Sequence, residues 1–400
     1  MATQTTTKNW LTTNLGEICS FLYGKSLPEK NRIAGSFPVY GSNGVVGSHN
    51  EALVKLPGII IGRKGSIGLV HFSKSPFCPI DTTFYITQDE SNVDLRYLYY
   101  FLKSIGLNKL KADVGVPGIN REMVYRETVS VPNNIKEQKA IARVLMTVQE
   151  AIDGQEAFIS KLKELKRSMM QHLFTHGTTD EKSKMTEIGE LPESWDVVKL
   201  GEVGDVSYGI QAAVAALLKP VGFKILTNKN ITLQGAIVLD KVNYYQPKTK
   251  RELSSFVEKG DILLNWRSGS KEHVGKTAIY SSDEKMLHSS FILRIRTNQE
   301  RVINKFLFYY LNWLRETGYF VKLQTYSVNA KFNKSAVLMM EIAVPPNNQQ
   351  VKILEALDSI SDKIELTGVK LAAYQNIFKI LLHELMSGER RVKVIYDKQN

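Results

Sequence analysis

Loops rich in cationic, amide and hydroxyl side chains are the segments of this sequence whose residue types best suit binding chemistry. They combine Arg, Lys, Asn and Ser with glycine in both halves of the chain. Such side chains donate hydrogen bonds to phosphate oxygens and to base edges, and nearby glycines let the backbone approach closely. We therefore predict nucleic-acid contacts at Lys25, Tyr40, Ser42, Asn43, Arg63, Lys64, Ser66, Asn228, Lys229, Arg267, Ser268, Ser270, Lys271, Lys331 and Asn333. Solvated turns have a similar composition, so an ordinary surface loop is the alternative for each residue.

One of these loops, Gly269–Thr277, looks like a phosphate-binding P-loop but has the wrong spacing. Five residues separate Gly269 from Gly275, one more than that motif allows. The loop also precedes a strand-like segment, whereas a P-loop must begin a helix whose N-terminus faces the phosphates. We do not expect nucleotide binding here.

No set of residues in the sequence forms a credible catalytic or metal-binding group. Asp81 is the carboxylate whose context best suits catalysis, but the repeat described below aligns it with His288, and no second carboxylate accompanies either. His172 and His383 each come shortly before a glycine that ends a helical segment, where a histidine usually complements the helix dipole. The two cysteines lack metal-ligand spacing. There is neither a Gly-rich cofactor loop nor an Asn-Pro-Pro-aromatic motif, so the sequence does not support methyl transfer by this chain.

The candidate loops lie within a sequence that repeats itself. LGEICSFLYG, at Leu15–Gly24, returns in the second half as LGEVGDVSYG, at Leu200–Gly209. Later matches join Pro57–Ile61 to Lys259–Leu263, Asp81–Phe84 to His288–Phe291, and the aromatic segment Arg96–Leu102 to Lys305–Leu311. The offset between matched segments grows along the chain, which places extra length in the loops of the second half. We predict two similar mixed α/β domains that share a frame and differ in their loops.

Each domain is followed by a long segment without an internal proline. Apolar residues recur in steps of four and three in both segments, at Ile141, Leu145, Val148 and Ile152 in the first and at Ile353, Leu357, Ile360 and Ile364 in the second. This is heptad spacing, and Gly177 and Gly388 end the two segments as helix stops. An apolar seam this long must be buried, so we predict that the two helices pair as a coiled coil. We predict an antiparallel pair, because only that arrangement places the two domains at opposite ends with a pseudo-two-fold axis between them. Two helices inside one globular core are the alternative.

These patterns predict domains at 1–132 and 178–345, spacer helices at 133–177 and 346–390, and a tail at 391–400. Gln155 and Thr367 interrupt the two seams near their middles, at equivalent places in the repeat. We predict that they meet at the centre of the helix pair and fix its register. Two unrelated polar residues are the alternative.

The charge of the chain favours a polyanionic partner. The net charge is +12 and the pI is near 9.3. Residues 1–130 carry a net +4 and residues 185–345 a net +5, so both halves are basic. A solvated basic surface is the alternative. The sequence has neither a signal peptide nor a run of apolar residues long enough to span a membrane, so we expect a soluble cytoplasmic protein without a membrane partner.

The order of these motifs resembles the specificity subunit of type I restriction-modification enzymes. PVYGSNGVVG, PGIIIGRKGSIG and PIDTTFYI in the first domain, and KGDILLNWRSGSKEHVGKTAIY in the second, are similar to two recurring versions of that family's target recognition domains. EQKAIARVL, after Val131-Pro132, resembles the start of its spacer helices. The resemblance runs from Trp10 to Gly388. It departs at Pro346–Gln350, where the usual acidic Glu-Gln pair is absent.

The resemblance implies a non-catalytic subunit that binds a split target in double-stranded DNA. Each domain would read one half-site, and the helices would set the gap and dock two modification subunits. Those subunits would methylate adenine with S-adenosylmethionine, and restriction (translocase) subunits that use ATP and Mg would join them, so we expect no cofactor or metal in this chain. A stand-alone methyltransferase or nuclease with duplicated domains, and a helical scaffold that binds only proteins, are the alternatives.

Overall fold

Two units divide the chain, and each of two long helices contributes to both units. The computed structural model describes residues 9–110, 118–179, 181–211, 220–268, 270–325 and 333–392. Unit 1 comprises residues 1–157 and 368–400, and unit 2 comprises residues 158–367. The long helices run over Ile135–His176 and Asn347–Ser387. Unit 1 therefore holds the start of the first helix and the end of the second, and unit 2 holds the remainder.

Unit 1 is a mixed α/β domain. Its strands are β1 (Trp10–Asn14), β2 (Leu22–Tyr23), β3 (Phe37–Gly41), β4 (Gly44–His49), β5 (Gly58–Gly62), β6 (Val70–Ser73), β7 (Cys78–Pro79), β8 (Thr83–Ile86) and β9 (Thr128–Pro132). Its helices are α1 (Leu15–Ile18), α2 (Leu95–Ile105), α3 (Arg121–Tyr125) and the beginning of α4 (Ile135–His176). An antiparallel sheet has the order β2-β8-β5-β6, and a second sheet has the order β4-β3-β7 with β3 parallel to β7. Strand β1 pairs with β9, which brings the two ends of the domain together.

Unit 2 has the same plan. Its strands are β10 (Ser183–Thr186), β11 (Gly189–Pro192), β12 (Asp196–Lys199), β13 (Gly204–Tyr208), β14 (Phe223–Leu226), β15 (Asn243–Tyr245), β16 (Phe256–Val257), β17 (Ile262–Asn265), β18 (Thr277–Ile279), β19 (Met286–His288), β20 (Ile292–Thr297) and β21 (Glu341–Val344). Its helices are α5 (Leu200–Val203), α6 (Lys250–Leu253), α7 (Asn304–Glu316), α8 (Tyr319–Thr325), α9 (Lys334–Leu338) and the beginning of α10 (Asn347–Ser387). The sheets have the orders β13-β20-β17-β18 and β15-β14-β19-β16, and β12 pairs with β21. The predicted internal repeat is confirmed.

Each unit buries part of both long helices in its own core. The core of unit 1 contains Ile141 and Leu145 from the start of α4 together with Leu385 from the end of α10. The core of unit 2 contains Phe174 from the end of α4 together with Ile353 from the start of α10. Burying one such side chain contributes about 1.5–3 kcal/mol. The start of one helix thus accompanies the end of the other within each unit, which is the predicted antiparallel order.

Strand pairing corrects two matches of the sequence repeat. Tyr23 and Tyr208 hold the same place in the repeated opening segments, and they pair with Phe84 and Leu293, respectively. Ile61 also pairs with Phe84, and Leu264 also pairs with Leu293. Phe84 therefore corresponds to Leu293, and the prediction that matched it with Phe291 is wrong. Likewise Ile61 corresponds to Leu264, not to Leu263. Register matters because a shift by a single position moves a side chain to the other face of the sheet.

The same correction removes the alignment of Asp81 with His288. Tyr40 pairs with Pro79 in the parallel strands of unit 1, and Leu226 pairs with His288 in those of unit 2. His288 therefore corresponds to Pro79, and Asp81 corresponds to Ser290. The sequence match was wrong because it aligned Phe84 with Phe291, and these two phenylalanines occupy different positions in the two units.

A buried glutamine fastens each long helix to its domain. In unit 1 the Gln138 amide donates to the Pro132 carbonyl at 2.8 Å and accepts from the Asp94 amide at 2.8 Å. In unit 2 the Gln350 amide donates to the Pro345 carbonyl at 2.9 Å and accepts from the Ile303 amide at 2.9 Å. The unusual second helix start therefore keeps this contact.

The neighbouring residue differs between the two helix starts. Glu137 in unit 1 accepts two hydrogen bonds from the Arg391 guanidinium, at 2.7 and 2.9 Å. Its counterpart Gln349 accepts from the Trp195 indole at 2.9 Å and donates to the Glu181 carboxylate at 3.1 Å. The carboxylate thus belongs to the helix residue in unit 1 and to its partner, Glu181, in unit 2.

Candidate nucleic-acid interface

The segment Pro79–Thr82 connects predicted contact residues from separate loops of unit 1. The Lys25 amide donates to the Pro79 carbonyl at 3.0 Å, and the Tyr40 carbonyl accepts from the Ile80 amide at 3.0 Å. Gly24 permits this approach, because a Cβ there would lie 2.1 Å from the Ile80 carbonyl oxygen. Lys25 is exposed and Tyr40 is half-buried.

The carbonyl of Thr82 positions the loop that carries Arg63. It accepts hydrogen bonds from the Arg63 amide at 2.9 Å, the Lys64 amide at 3.2 Å and the Ser42 hydroxyl at 2.6 Å. Ser42 is only 8% exposed, so it positions the loop instead of facing solvent. Lys64 and Asn43 are exposed, and Ser66 is half-buried. The fold thus brings residues predicted from distant loops to one part of unit 1.

Arg121 joins this group, although the sequence prediction missed it. The Arg63 guanidinium lies 5.1 Å from the centroid of the Tyr23 ring, and the Arg121 guanidinium lies 5.3 Å from the same centroid. Arg121 follows Asn120, whose side chain caps α3 by accepting from the backbone amides of the first helical turn. The repeat could have revealed Arg121, because Asn333-Lys334 stands at the equivalent place in the second half and Asn333 was predicted. Asn333 caps α9 in the same way, accepting from the Ala336 amide at 2.9 Å.

Unit 2 carries different side chains at the corresponding places. The register that relates Ile61 to Leu264 relates Arg63 to Trp266 and Lys64 to Arg267. The Trp266 indole donates to the Ser290 carbonyl at 2.7 Å, and its ring lies 5.5 Å from the Tyr208 ring. Arg267 is exposed, with its guanidinium 5.7 Å from the Phe291 ring centroid. The frame is shared, whereas the contact chemistry is not.

A buried lysine shapes the turn that carries Asn228 and Lys229. The Lys276 ammonium donates to the Asn228 carbonyl at 2.8 Å and to the Ile231 carbonyl at 2.6 Å. Burial lowers the pKa of Lys276, and the two carbonyls accept from its ammonium group. Asn228 is half-buried and Lys229 is exposed. The turn therefore presents Lys229 from a fixed backbone.

The remaining predicted residues are placed as follows. The Ser268 hydroxyl accepts from the Ser270 amide at 3.4 Å, and Lys271 begins a short 3-10 helix, Lys271–His273. Lys331 lies outside the described residues. Gln155 is half-buried in unit 1, and Thr367 is buried in unit 2 with its hydroxyl donating to the Lys363 carbonyl at 2.6 Å. The pairing of Gln155 with Thr367 stays a prediction.

His288, which the sequence repeat aligned with Asp81, lies in the protein interior and makes a hydrogen bond to the backbone. His288 is fully buried, and its Nδ1 lies 2.8 Å from the Ser255 carbonyl oxygen, to which it donates. Burial lowers its pKa to about 4, so the ring is neutral at pH 7. Within the described residues no three His, Cys, Asp or Glu side chains are grouped to hold a metal ion. None of the described helices is long and apolar enough to cross a membrane.

Comparison with known proteins identifies the family. The family model described as "Type I restriction modification DNA specificity domain" matches residues 7–164 and 192–373, one match in each repeat. The chain belongs to this family. The MjaVIII type I restriction enzyme specificity subunit of Methanocaldococcus jannaschii is 26% identical over 376 residues, which cover 91% of this chain and 84% of that protein. A putative type I restriction enzyme specificity subunit of Haemophilus influenzae is 23% identical, and the match covers 90% of this chain and 91% of that protein.

Solved structures support the specificity-domain fold. The type I restriction-modification S subunit from M. genitalium has a TM-score of 0.66 at 14% identity, and the match covers 96% of this chain and 98% of that one. A chain from a study of complex assembly and conformational transition in a type I restriction-modification system has a TM-score of 0.56 at 15% identity, with 96% and 98% coverage. At these identities the likeness concerns the fold alone.

Proposed function

We propose that this chain is the DNA specificity subunit of a type I restriction-modification system, and that each unit reads one half of a bipartite target. One observation carries the proposal: the two family matches fold on one frame but present different side chains at corresponding positions. Arg63 and Lys64 in unit 1 correspond to Trp266 and Arg267 in unit 2. Different side chains on one frame suit two half-sites of different sequence.

The long helices provide surfaces for protein partners. Within unit 1, Val369, Ile377 and Ile380 of α10 are between 45% and 63% exposed. Within unit 2, Phe158 and Leu165 of α4 and Leu366 of α10 are between 41% and 51% exposed. Exposed apolar side chains on helices suit protein contacts. We assign these surfaces to two modification subunits.

In this proposal the chemistry belongs to the partners. The modification subunits bind S-adenosylmethionine and methylate adenine, and the restriction subunits use ATP and Mg. The chain supplies target recognition and transfers no methyl group itself. This assignment is supported by the family and by the lack of a methyltransferase motif in the sequence.

A domain exchange tests the proposal. The chain is co-expressed with the modification subunits of its own system, and methylated adenines are mapped across a DNA library. Replacing residues 1–132 by the same domain of a relative should change one half-site and leave the other half-site unchanged. A change in both half-sites would contradict independent reading. Methylation by the purified chain alone would instead favour the duplicated methyltransferase.

A further inference from the structure

Tyr23, Arg63 and Arg121 form a partly exposed cluster in unit 1 that the family assignment does not explain. Tyr23 is 51% exposed, although its ring centroid lies 5.1 and 5.3 Å from the two guanidiniums. A second ring supports each arginine, with Phe84 5.8 Å from Arg63 and Tyr125 5.7 Å from Arg121. Stacking on aromatic rings orients a guanidinium without neutralising its charge. The cluster thus holds two cations at fixed places.

The two positive charges have little compensation inside the protein. In the part of the chain that the structure describes, no carboxylate lies within ion-pair distance of Arg63. Arg121 has Glu122 at 3.4 Å, but that carboxylate is 65% exposed, and exposed pairs contribute little. Among the described residues, the buried Nε of Arg63 has no hydrogen-bond acceptor, and the Arg121 guanidinium makes one weak hydrogen bond, to the Phe21 carbonyl at 3.4 Å. Two such cations beside one exposed ring suit an anionic ligand.

We propose that Tyr23, Arg63 and Arg121 form a clamp for one backbone phosphate of the DNA half-site bound by unit 1. This inference rests on the proposed function. A phosphate has several acceptor oxygens and can bond to two guanidiniums at once, whereas a base edge is read by one guanidinium in the bidentate manner. A phosphate also supplies the negative charge that the cluster lacks. Arg121 is therefore assigned to positioning the DNA, not to reading its sequence.

Unit 2 does not repeat the clamp. The corresponding residues there are Tyr208, Trp266 and Lys334, because Trp266 takes the place of Arg63. The Tyr208 hydroxyl accepts from the Lys334 amide at 2.9 Å, and its ring packs against Trp266. None of these three side chains carries a guanidinium. The phosphate clamp is thus a property of unit 1.

The test uses the complex of the full chain with its modification subunits. Target and non-target duplexes are titrated over a salt series with the wild type, Arg63→Ala and Arg121→Ala. Losing one phosphate contact should reduce the slope of log K against log salt by about 0.9 and weaken binding about eightfold at roughly 0.1 M salt. The ratio of target to non-target affinity should stay the same. Arg121→Lys should recover most of the slope because it keeps the charge.

Arg96→Ala is the matched control. Arg96 lies 4.0 Å from the Phe72 ring in the same unit, so the variant removes an equal charge from an equal type of contact. Its slope should equal that of the wild type. The clamp is overturned if Arg121→Ala leaves the slope unchanged, or if it abolishes the preference for the target, which would indicate base reading. A wild-type complex without any sequence preference would contradict the proposed function instead.

Discussion

Individual side chains in this protein differ in whether they face a ligand or the protein. Ser42 and Lys276 are of residue types that commonly contact nucleic acid. Both are nevertheless buried, and both donate hydrogen bonds to backbone carbonyls of loops. Arg267 is exposed and rests near Phe291, so it is placed to face solvent or a ligand. Residue type alone therefore cannot distinguish a side chain that contacts a ligand from one that holds a loop in place.

Replacing Arg267 by alanine should weaken binding to the target by about 1–3 kcal/mol if the guanidinium reads a base edge. The loss should be confined to one position of the half-site read by unit 2. Binding competition against a library of single-base variants measures this. Arg251→Ala, an exposed arginine on α6, is the control. Equal weakening on every sequence would mean that Arg267 contacts phosphate.

Glu181 should make unit 2 sensitive to acid. Burial raises the pKa of Glu181, but hydrogen bonds from the Ser194 amide and hydroxyl, Gln349 and Thr179 outweigh it and hold the pKa at about 2, below the ordinary value of 4.5. Because the folded pKa is lowered, the stabilisation is complete well above pH 4.5 and is lost as the pH falls towards 2.

The measurement is thermal unfolding of the wild type and Glu181→Gln at a series of pH values. The wild type should have the higher Tm near neutral pH, and the difference should shrink as the pH falls below 4.5. Glu187→Gln, at an exposed neighbouring position, should show no such trend. A difference that is independent of pH would mean that the Glu181 charge is not involved.

At the scale of elements, each long helix depends on one buried glutamine. Gln138 and Gln350 are 3% and 0% exposed, and each satisfies both a carbonyl before its helix and an amide at the start of the aromatic helix. This arrangement ties the helix, the closing strand and the aromatic helix together. The repeat keeps it although the residues around it differ.

Gln350→Leu should lower the free energy of unfolding by about 1–3 kcal/mol, since it leaves the Ile303 amide and the Pro345 carbonyl buried without their partner. Denaturant unfolding of the full chain measures the change. Gln375→Leu, the same substitution at an exposed position of α10, should have little effect. Equal stability of the two variants would show that the bridge is dispensable.

At the scale of the whole molecule, the helices are the elements whose length can set the gap between half-sites. Adding one heptad to each helix preserves the phase of the seam and lengthens it by roughly 10 Å. At about 3.4 Å per base pair, the spacer of the target should grow by up to about three base pairs.

Mapping of methylated adenines checks this prediction. The half-site sequences should remain, and only their separation should change. Inserting about half a heptad instead shifts the seam and should abolish methylation. A heptad variant that still methylates the original spacing would show that the helices do not measure DNA.

The sequence by itself determined the repeat, the mixed α/β class and the two long helices, because these follow from periodicity and from matches between the two halves. The tertiary structure decided the register, which relates Phe84 to Leu293 and not to Phe291. It also decided that Tyr23 and Arg121, which lie far apart in the sequence, share one cluster. Strand pairing and side-chain burial depend on contacts between distant segments, and no local pattern around Ser42 or Tyr23 records those contacts.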